Sequence, residues 1–373
     1  MWRSPLAAVA AMATIIAVGT VGVPPARAGG PGEPLYGDLN GDGPVDRARL
    51  GAAPRACTVT VEFGRPEGGH LPPRQYTYQA PGRGASARCP DLGVAVDLDT
   101  PATAEDPGVA ELVLGWYGGH PGDRSIHDLV VLRNLAVSSS FPALPLPNFL
   151  GLADFDGDGR QDLYAWTDQG QGFATYLNDG AGALRPGPVR YCSGQFDHQL
   201  ADFDRDGAMD VALTYVDRCA DGTRGVVVVL DDGTAVELQN MTDGERCWTV
   251  HVLDADHNKV PDVLTYHLPT GLPTTFLGVG DGTFVRSPLA LRDTVTVSGA
   301  APTNIPLLDN DWASRRAKIS IVTPPTAGTA QVRADRSIVY IPGSTPGLTD
   351  RLVYRVTQDG RTSDATVIVK ITP

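Results

Sequence analysis

The chain has 373 residues, a formal charge of −13 at pH 7, 43 glycines and 31 prolines. Such acidity argues against nucleic acid or an anionic membrane surface as a partner. Abundant turn formers without long amphipathic periodicity exclude a helical bundle and predict an all-β chain of short strands.

The N-terminus reads as a secretory signal over residues 1–28. Arg3 gives the positive start, Leu6 to Val23 is apolar and small, and Ala26-Arg27-Ala28 offers a cleavage site. The mature chain then begins at Gly29, and loss of Arg3 and Arg27 brings its charge to −15. A retained anchor is the competing reading, because the apolar run approaches the ~18 residues that span a bilayer. No later segment is apolar enough to span, so a secreted protein is expected, with no membrane span after signal removal.

One acidic phrase recurs along the chain: DLNGDGPVD at 38–46, DFDGDGRQD at 154–162, DFDRDGAMD at 202–210 and DADHNKVPD at 254–262. Oxygen-bearing side chains stand at its first, third, fifth and ninth positions. Carboxylates at this density repel one another unless neutralised, and an oxygen-only ligand set points to Ca²⁺ rather than to zinc or copper. Polar turns held by Asx hydrogen bonds without metal are the bland alternative. An EF-hand is excluded, because its twelfth position needs a bidentate Glu and here holds Arg49, Ala165, Leu213 or Thr265.

A strand-like run follows each well-formed loop: Leu163–Thr167, Val211–Tyr215 and Val263–Tyr266. Hairpin turns come later, at Asn178-Asp179-Gly180, Asp231-Asp232-Gly233 and Gly280-Asp281-Gly282. A damaged fifth copy lies between the first two phrases, with Asp97, Asp99 and Glu111 on the first, third and ninth positions and an insert at Thr100–Pro107. Starts at 38, 97, 154, 202 and 254 give spacings of 59, 57, 48 and 52, which suit four-stranded propeller blades. Seven blades of this period need roughly 350 residues, so five are expected, in a propeller over 29–292. A sandwich or an open array is the alternative, and ring closure is left open.

From about Asp293 the acidic loops stop and alternating strands run to Ile371. This tail, 293–373, has the size of a small β-sandwich.

Among the five cysteines, Cys57 and Cys89 are expected to pair. Of the remaining three, Cys192–Cys219 is favoured over Cys219–Cys247, and one thiol is left over. The seven histidines (His70, His120, His127, His198, His251, His257, His267) form no H-E-x-x-H motif, and neither a G-x-S-x-G nor a P-loop is present. Trp116 and Tyr117 are either a sugar-stacking platform or, more in keeping with a strand end, packing between blades.

The phrase D-x-D-x-D-G-x-x-D before a strand, with L-N-D-G and G-D-G-T-F turns, resembles the FG-GAP/VCBS repeats of integrin α-subunit propellers and bacterial exported proteins. The resemblance covers roughly 35–292. It implies calcium ligands Asp38, Asn40, Asp42, the Pro44 carbonyl and Asp46 in the first loop. In the third it implies Asp154, Asp156, Asp158, the Arg160 carbonyl and Asp162; in the fourth, Asp202, Asp204, Asp206, the Ala208 carbonyl and Asp210. The last loop offers Asp254, Asp256, Asn258, the Val260 carbonyl and Asp262, but Lys259 replaces the glycine, so weaker binding is expected there. The interrupted loop at 97–111 is expected to be empty or to survive only as a turn. Leu307–Asp311, Ser337–Pro342 and Asp350–Val356 resemble the bacterial cadherin-like or Ig-like modules. Together these imply an extracellular recognition or adhesion protein for a protein or glycan ligand, with calcium mainly structural. A secreted hydrolase or lyase with its active site on the propeller rim is the alternative.

Overall fold

The computed structural model describes residues 32–372 except 54–55, 80–88, 100–107, 118–127, 145–146, 168–171, 193, 217, 219–221, 242–247, 299–300 and 344–347. The signal segment, the insert Thr100–Pro107, His120, His127, Cys219 and Cys247 lie outside the described residues. Among the described residues no helix is long and apolar enough to cross a membrane.

Five four-stranded antiparallel meanders follow one another. Blade one is Leu35–Gly37, Asp46–Ala53, Ala56–Glu62 and Arg74–Tyr78; blade two is Leu92–Val96, Glu111–Gly115, Asp128–Arg133 and Ala136–Pro142. Blade three is Phe149–Ala153, Asp162–Thr167, Gly172–Asn178 and Leu184–Tyr191. Blade four is Gly194–Ala201, Asp210–Val216, Arg224–Val229 and Ala235–Met241, and blade five is Trp248–Leu253, Asp262–His267, Leu272–Gly278 and Phe284–Arg286. In every blade the acidic loop joins the first strand to the second. Its ninth residue opens the second strand and pairs with the residue just before the loop: Asp46 with Gly37, Glu111 with Val96, Asp162 with Ala153, Asp210 with Ala201, Asp262 with Leu253. The damaged copy keeps this register, so the frame read through Glu111 holds.

The fold is a β-propeller whose consecutive blades are glued face to face by apolar side chains, because a lone four-stranded sheet leaves a bare face on each side. Val59 and Val61 of blade one meet Leu112, Leu114 and Val130 of blade two. Val94, Val113 and Val131 meet Leu163 and Tyr176. Tyr164, Phe173 and Tyr191 meet Val211, Leu213 and Tyr215, and Val226 and Val228 meet Trp248, Val250 and Phe276. Among the described residues no buried cluster joins blade five to blade one. Trp116 is 2% exposed in the first of these cores, so it packs between blades and offers no platform for a sugar.

The tail is an Ig-like sandwich of a four-stranded and a three-stranded sheet. Asp293–Ser298 runs parallel to Arg361–Thr372, which pairs in turn with Thr349–Gln358. Its core is Leu307, Ile338, Tyr340, Leu352, Tyr354, Val367 and Val369. The buried tyrosines keep their hydroxyls satisfied, as burial demands: Tyr354 donates to Asp311 at 2.8 Å and Tyr340 to Asp350 at 2.8 Å.

Cys57 and Cys89 form a disulfide, as expected. Cys192 is also disulfide-bonded; Cys219, its expected partner, falls outside the described residues, as does Cys247.

Candidate metal centres on one rim

The strand pairing places the acidic loops at the same end of every blade, and backbone bonds tie several of them together. Ala110 N–H donates to the Asp38 carbonyl at 2.6 Å, and Met209 N–H to the Asp154 carbonyl at 2.8 Å. Each of these bonds links the eighth position of one loop to the first position of another.

Inside the loop the ninth carboxylate is a latch. Asp162 accepts Phe155 N–H at 2.7 Å on one oxygen and Asn178 N–H at 2.7 Å on the other. Asp210 does the same with Phe203 and Asp231, Asp262 with Ala255 and Gly278, and Asp46 with Leu39 and Gly64. Both bonds hold backbone donors that would otherwise be buried without a partner. The second loop position carries a further signal that ligand spacing does not reveal: Leu39, Leu98, Phe155 and Phe203 are apolar plugs buried beneath the loop. Two positions per loop need positive φ, the fourth and the sixth: Gly41 and Gly43, Gly157 and Gly159, Arg205 and Gly207, His257 and Lys259.

Lys259 therefore adopts the left-handed backbone, φ 70°, in place of a glycine, and the turn is retained. The fifth loop matches the third and fourth in its hydrogen bonding. In all three the sixth-position N–H donates to Oδ2 of the first Asp: Gly159 to Asp154 at 2.8 Å, Gly207 to Asp202 at 3.1 Å and Lys259 to Asp254 at 3.2 Å.

The other oxygen decides what these loops fit. Oδ1 of Asp154, Asp202 and Asp254, and Oδ1 of Asp156, are buried without a hydrogen-bond partner. Carboxylate oxygens from Asp154, Asp156 and Asp162 lie within 4.8 Å of one another, as do those from Asp254, Asp256 and Asp262. In the fourth loop Asp204 belongs to two such groups, one with Asp202 and Asp206 and one with Asp210 and Asp231. Asp231 comes from the hairpin of the same blade, a contribution that loop spacing conceals. Buried anionic oxygens facing one another are costly unless a cation sits between them, so these three loops fit a hard divalent ion. Burial, with the neighbouring carboxylates, pushes Asp162, Asp210 and Asp262 up to about 7. Asp158, by contrast, pairs with the Arg160 guanidinium.

The first loop differs. Asp38 turns its carboxylate onto its own backbone, accepting Gly41 N–H at 2.7 Å on Oδ1 and Gly43 N–H at 2.6 Å on Oδ2. Asn40 Nδ2 donates to Asp42 at 2.9 Å. This loop is satisfied as an Asx-type turn, with both oxygens of its first aspartate held on backbone N–H groups.

In the second loop Asp97, Asp99 and Glu111 bring oxygens within 4.8 Å of one another. Here a side chain supplies the positive charge. Arg133, at the end of the third strand, pairs with Asp99 and lies 3.4 Å from Glu111, and its Nη2 donates to the Gly182 carbonyl of blade three at 2.9 Å.

Residues 154–213 match the FG-GAP-like repeat, from the third loop into the second strand of blade four. Residues 286–372 match a bacterial Ig domain. No curated protein is similar to the chain. Solved structures with some likeness include BBS1N in complex with ARL6DN soaked with lead, 11% identical, TM-score 0.37, covering 91% of this chain and 82% of that one. The same complex soaked with mercury is 12% identical with a TM-score of 0.31, covering 85% and 93%. A mutant of AofleA from Arthrobotrys oligospora is 13% identical with a TM-score of 0.21, covering 91% and 89%. At such scores the likeness carries no argument about fold or function.

Proposed function

We propose that this FG-GAP repeat protein with a C-terminal Ig-like module is a secreted calcium-binding propeller acting in extracellular recognition or adhesion, with calcium mainly structural. Signal removal after residue 28, a propeller over 29–292 and a module over 293–373 complete the proposal. The observation that carries it is the unpartnered buried oxygen of Asp154, Asp202 and Asp254, repeated in three loops. Oxygen-only donors of mixed carboxylate and amide type suit Ca²⁺, which accepts irregular cages, better than Mg²⁺, which demands octahedral geometry. The Arg160, Ala208 and Val260 carbonyls complete the donor sets in this reading, and the Asp38 loop is its weakest member. The Cys57–Cys89 bridge supports an oxidising compartment.

When bound, calcium would neutralise the facing carboxylates and hold each loop between its two strands; the binding surface is then the propeller and the module themselves. The test is a thermal melt of the mature chain in calcium, in magnesium and in chelator. A site of ~10⁻⁴ M affinity at about 1 mM calcium stabilises by about 1.4 kcal/mol, so three sites give about 4 kcal/mol. A calcium-specific rise in Tm is expected. Equal melting in all three conditions would sink the proposal.

A further inference from the structure

A cleft of about 640 Å³ lies where the fifth acidic loop faces the Ig-like module. Asp256, His257 and Asn258 form one wall; Leu308 to Ala313, with Arg315 and Arg336, form the other. Its volume falls in the ~300–1,000 Å³ range of small-molecule sites, and a junction between domains is where such sites concentrate.

Hydrogen bonds join the two sides of the cleft. Arg315 N–H donates to the Ala255 carbonyl at 3.3 Å, bonding the module to the loop. Farther along, Thr275 Oγ1 of blade five donates to Asp359 Oδ2 at 2.8 Å. Trp312, the one aromatic residue of the lining, is half-buried. Its backbone is held on both sides by Leu289, at 2.9 and 3.0 Å, and its carbonyl also accepts Ser287 Oγ at 3.3 Å. The indole is thus carried on a tethered backbone.

We propose that this cleft is a saccharide-binding site, with Trp312 as the stacking surface and Asp309, Asn310 and Arg315 as hydroxyl-binding groups. The proposal rests on the recognition reading above and supplies its ligand class and location. Three properties of the lining select that class. Two carboxylates outside the calcium loop, Asp309 and Asp311, oppose a phosphate or other strong anion. Arg315 and Arg336 oppose a simple cation. Leu308, Ala313 and Trp312 offer too little apolar surface for a lipid or aromatic ligand. What remains is a mosaic of donors and acceptors around one aromatic residue, which suits a neutral or weakly acidic ring bearing hydroxyls on its edge and C–H groups on its face.

The lining residues divide by what they already do. Asp311 is committed to Tyr354 and to Leu291 N–H, and so supports the wall. Asn310 spends one amide hydrogen on the Arg292 carbonyl, at 3.2 Å, which leaves its oxygen as an acceptor. Arg336 uses one of its N–H groups on the Ser314 carbonyl, at 3.2 Å, and retains others. Asp309 and Arg315 are exposed.

The test is calorimetric titration of the calcium-loaded mature chain with soluble gluco-, xylo-, chito-, manno- and galacturono-oligosaccharides of three to six units. At least one class is expected to bind. Trp312→Ala should weaken it by about thirtyfold or more, as truncation of a central aromatic anchor does, while Trp312→Phe retains most of the affinity. Arg315→Ala and Asp309→Ala, both at exposed positions, decide the matter if Trp312→Ala does not fold; each should weaken binding with an unchanged melt. Absence of binding by every class overturns the proposal, and so does a folded Trp312→Ala or Arg315→Ala chain that binds as the parent does. A calcium melt on the same samples separates the two readings: calcium stabilisation without saccharide binding removes the cleft and leaves the calcium proposal standing, and saccharide binding without calcium stabilisation does the reverse.

Discussion

His198 gives a sharp test of the packing between blades three and four. Its ring lies among four aromatic rings of blade three: Tyr164 at 5.5 Å, Phe149 and Phe173 at 6.0 Å, and Trp166 at 6.2 Å between centroids. Among the described residues the ring's one polar partner is the Tyr164 hydroxyl, at 3.4 Å from Nε2. Among the described residues no carboxylate pairs with the ring, and burial pushes the imidazole down from 6.5 to about 4. The folded pKa is thus below the unfolded one, so the unfolded chain takes the proton first as pH falls. Stability from the neutral ring is complete above pH 6.5 and is lost between pH 6.5 and 4, reaching about 3 kcal/mol. Urea unfolding of the parent and of His198→Phe from pH 7 to pH 4 measures this as a difference. The difference matters because the buried Asp162, Asp210 and Asp262, raised to about 7 when metal-free, act with the opposite sign and are shared by both chains. The parent should lose about 3 kcal/mol relative to the variant over that range. Parallel pH profiles, or a His198 ring that titrates near 6.5 in the folded chain, would refute the reasoning.

Four other outcomes follow from particular contacts. Arg133→Gln removes the charge facing Asp99 and the buried Glu111, and should cost about 2 kcal/mol by urea unfolding, after allowing for the partial exposure of the arginine. Lys259→Gly releases a side chain from φ 70° and should stabilise the metal-free chain by about 1 kcal/mol; unchanged or lower stability would mean that the left-handed lysine costs nothing. Replacing both Cys57 and Cys89 by serine opens a link across 32 residues and should cost about 4 kcal/mol, read from non-reducing melts of the two proteins. Asp154→Asn and Asp38→Asn should separate the loops: the first should lower the calcium-dependent rise in Tm, and the second should leave it nearly intact, because Asp38 spends its oxygens on its own backbone.

Much of the architecture was legible because one constraint writes itself into consecutive residues. A loop that must present oxygens at fixed positions and then enter a strand leaves a readable frame, and the frame survived damage: Glu111 occupies the register of Asp162 although an insert precedes it. What stayed hidden is contributed across strands. Arg133 lies 22 positions after Glu111, on the far side of a hairpin, so nothing near the second loop announces that it already holds a cation. Asp231 reads as a hairpin turn until the fourth strand brings it beside Asp204 and Asp210. Glycine preference marked Lys259 as a residue that must hold a positive φ and said nothing about Arg205 and His257, because a left-handed residue needs only surrounding bonds strong enough to hold it. The same logic explains why Asp38 and Asp154, identical in sequence role, behave differently. Glycine at the fourth position is common to both loops, so the divergence lies in where the carboxylate turns: in the first loop onto N–H groups at four positions, in the third onto Gly159, with the second oxygen buried and unpaired. A carboxylate that has already found its donors gains little from an ion, whereas one buried without a partner gains most of its desolvation cost back. The strength of a site of this kind therefore follows from the donors its first aspartate lacks, more than from the number of acids its motif contains.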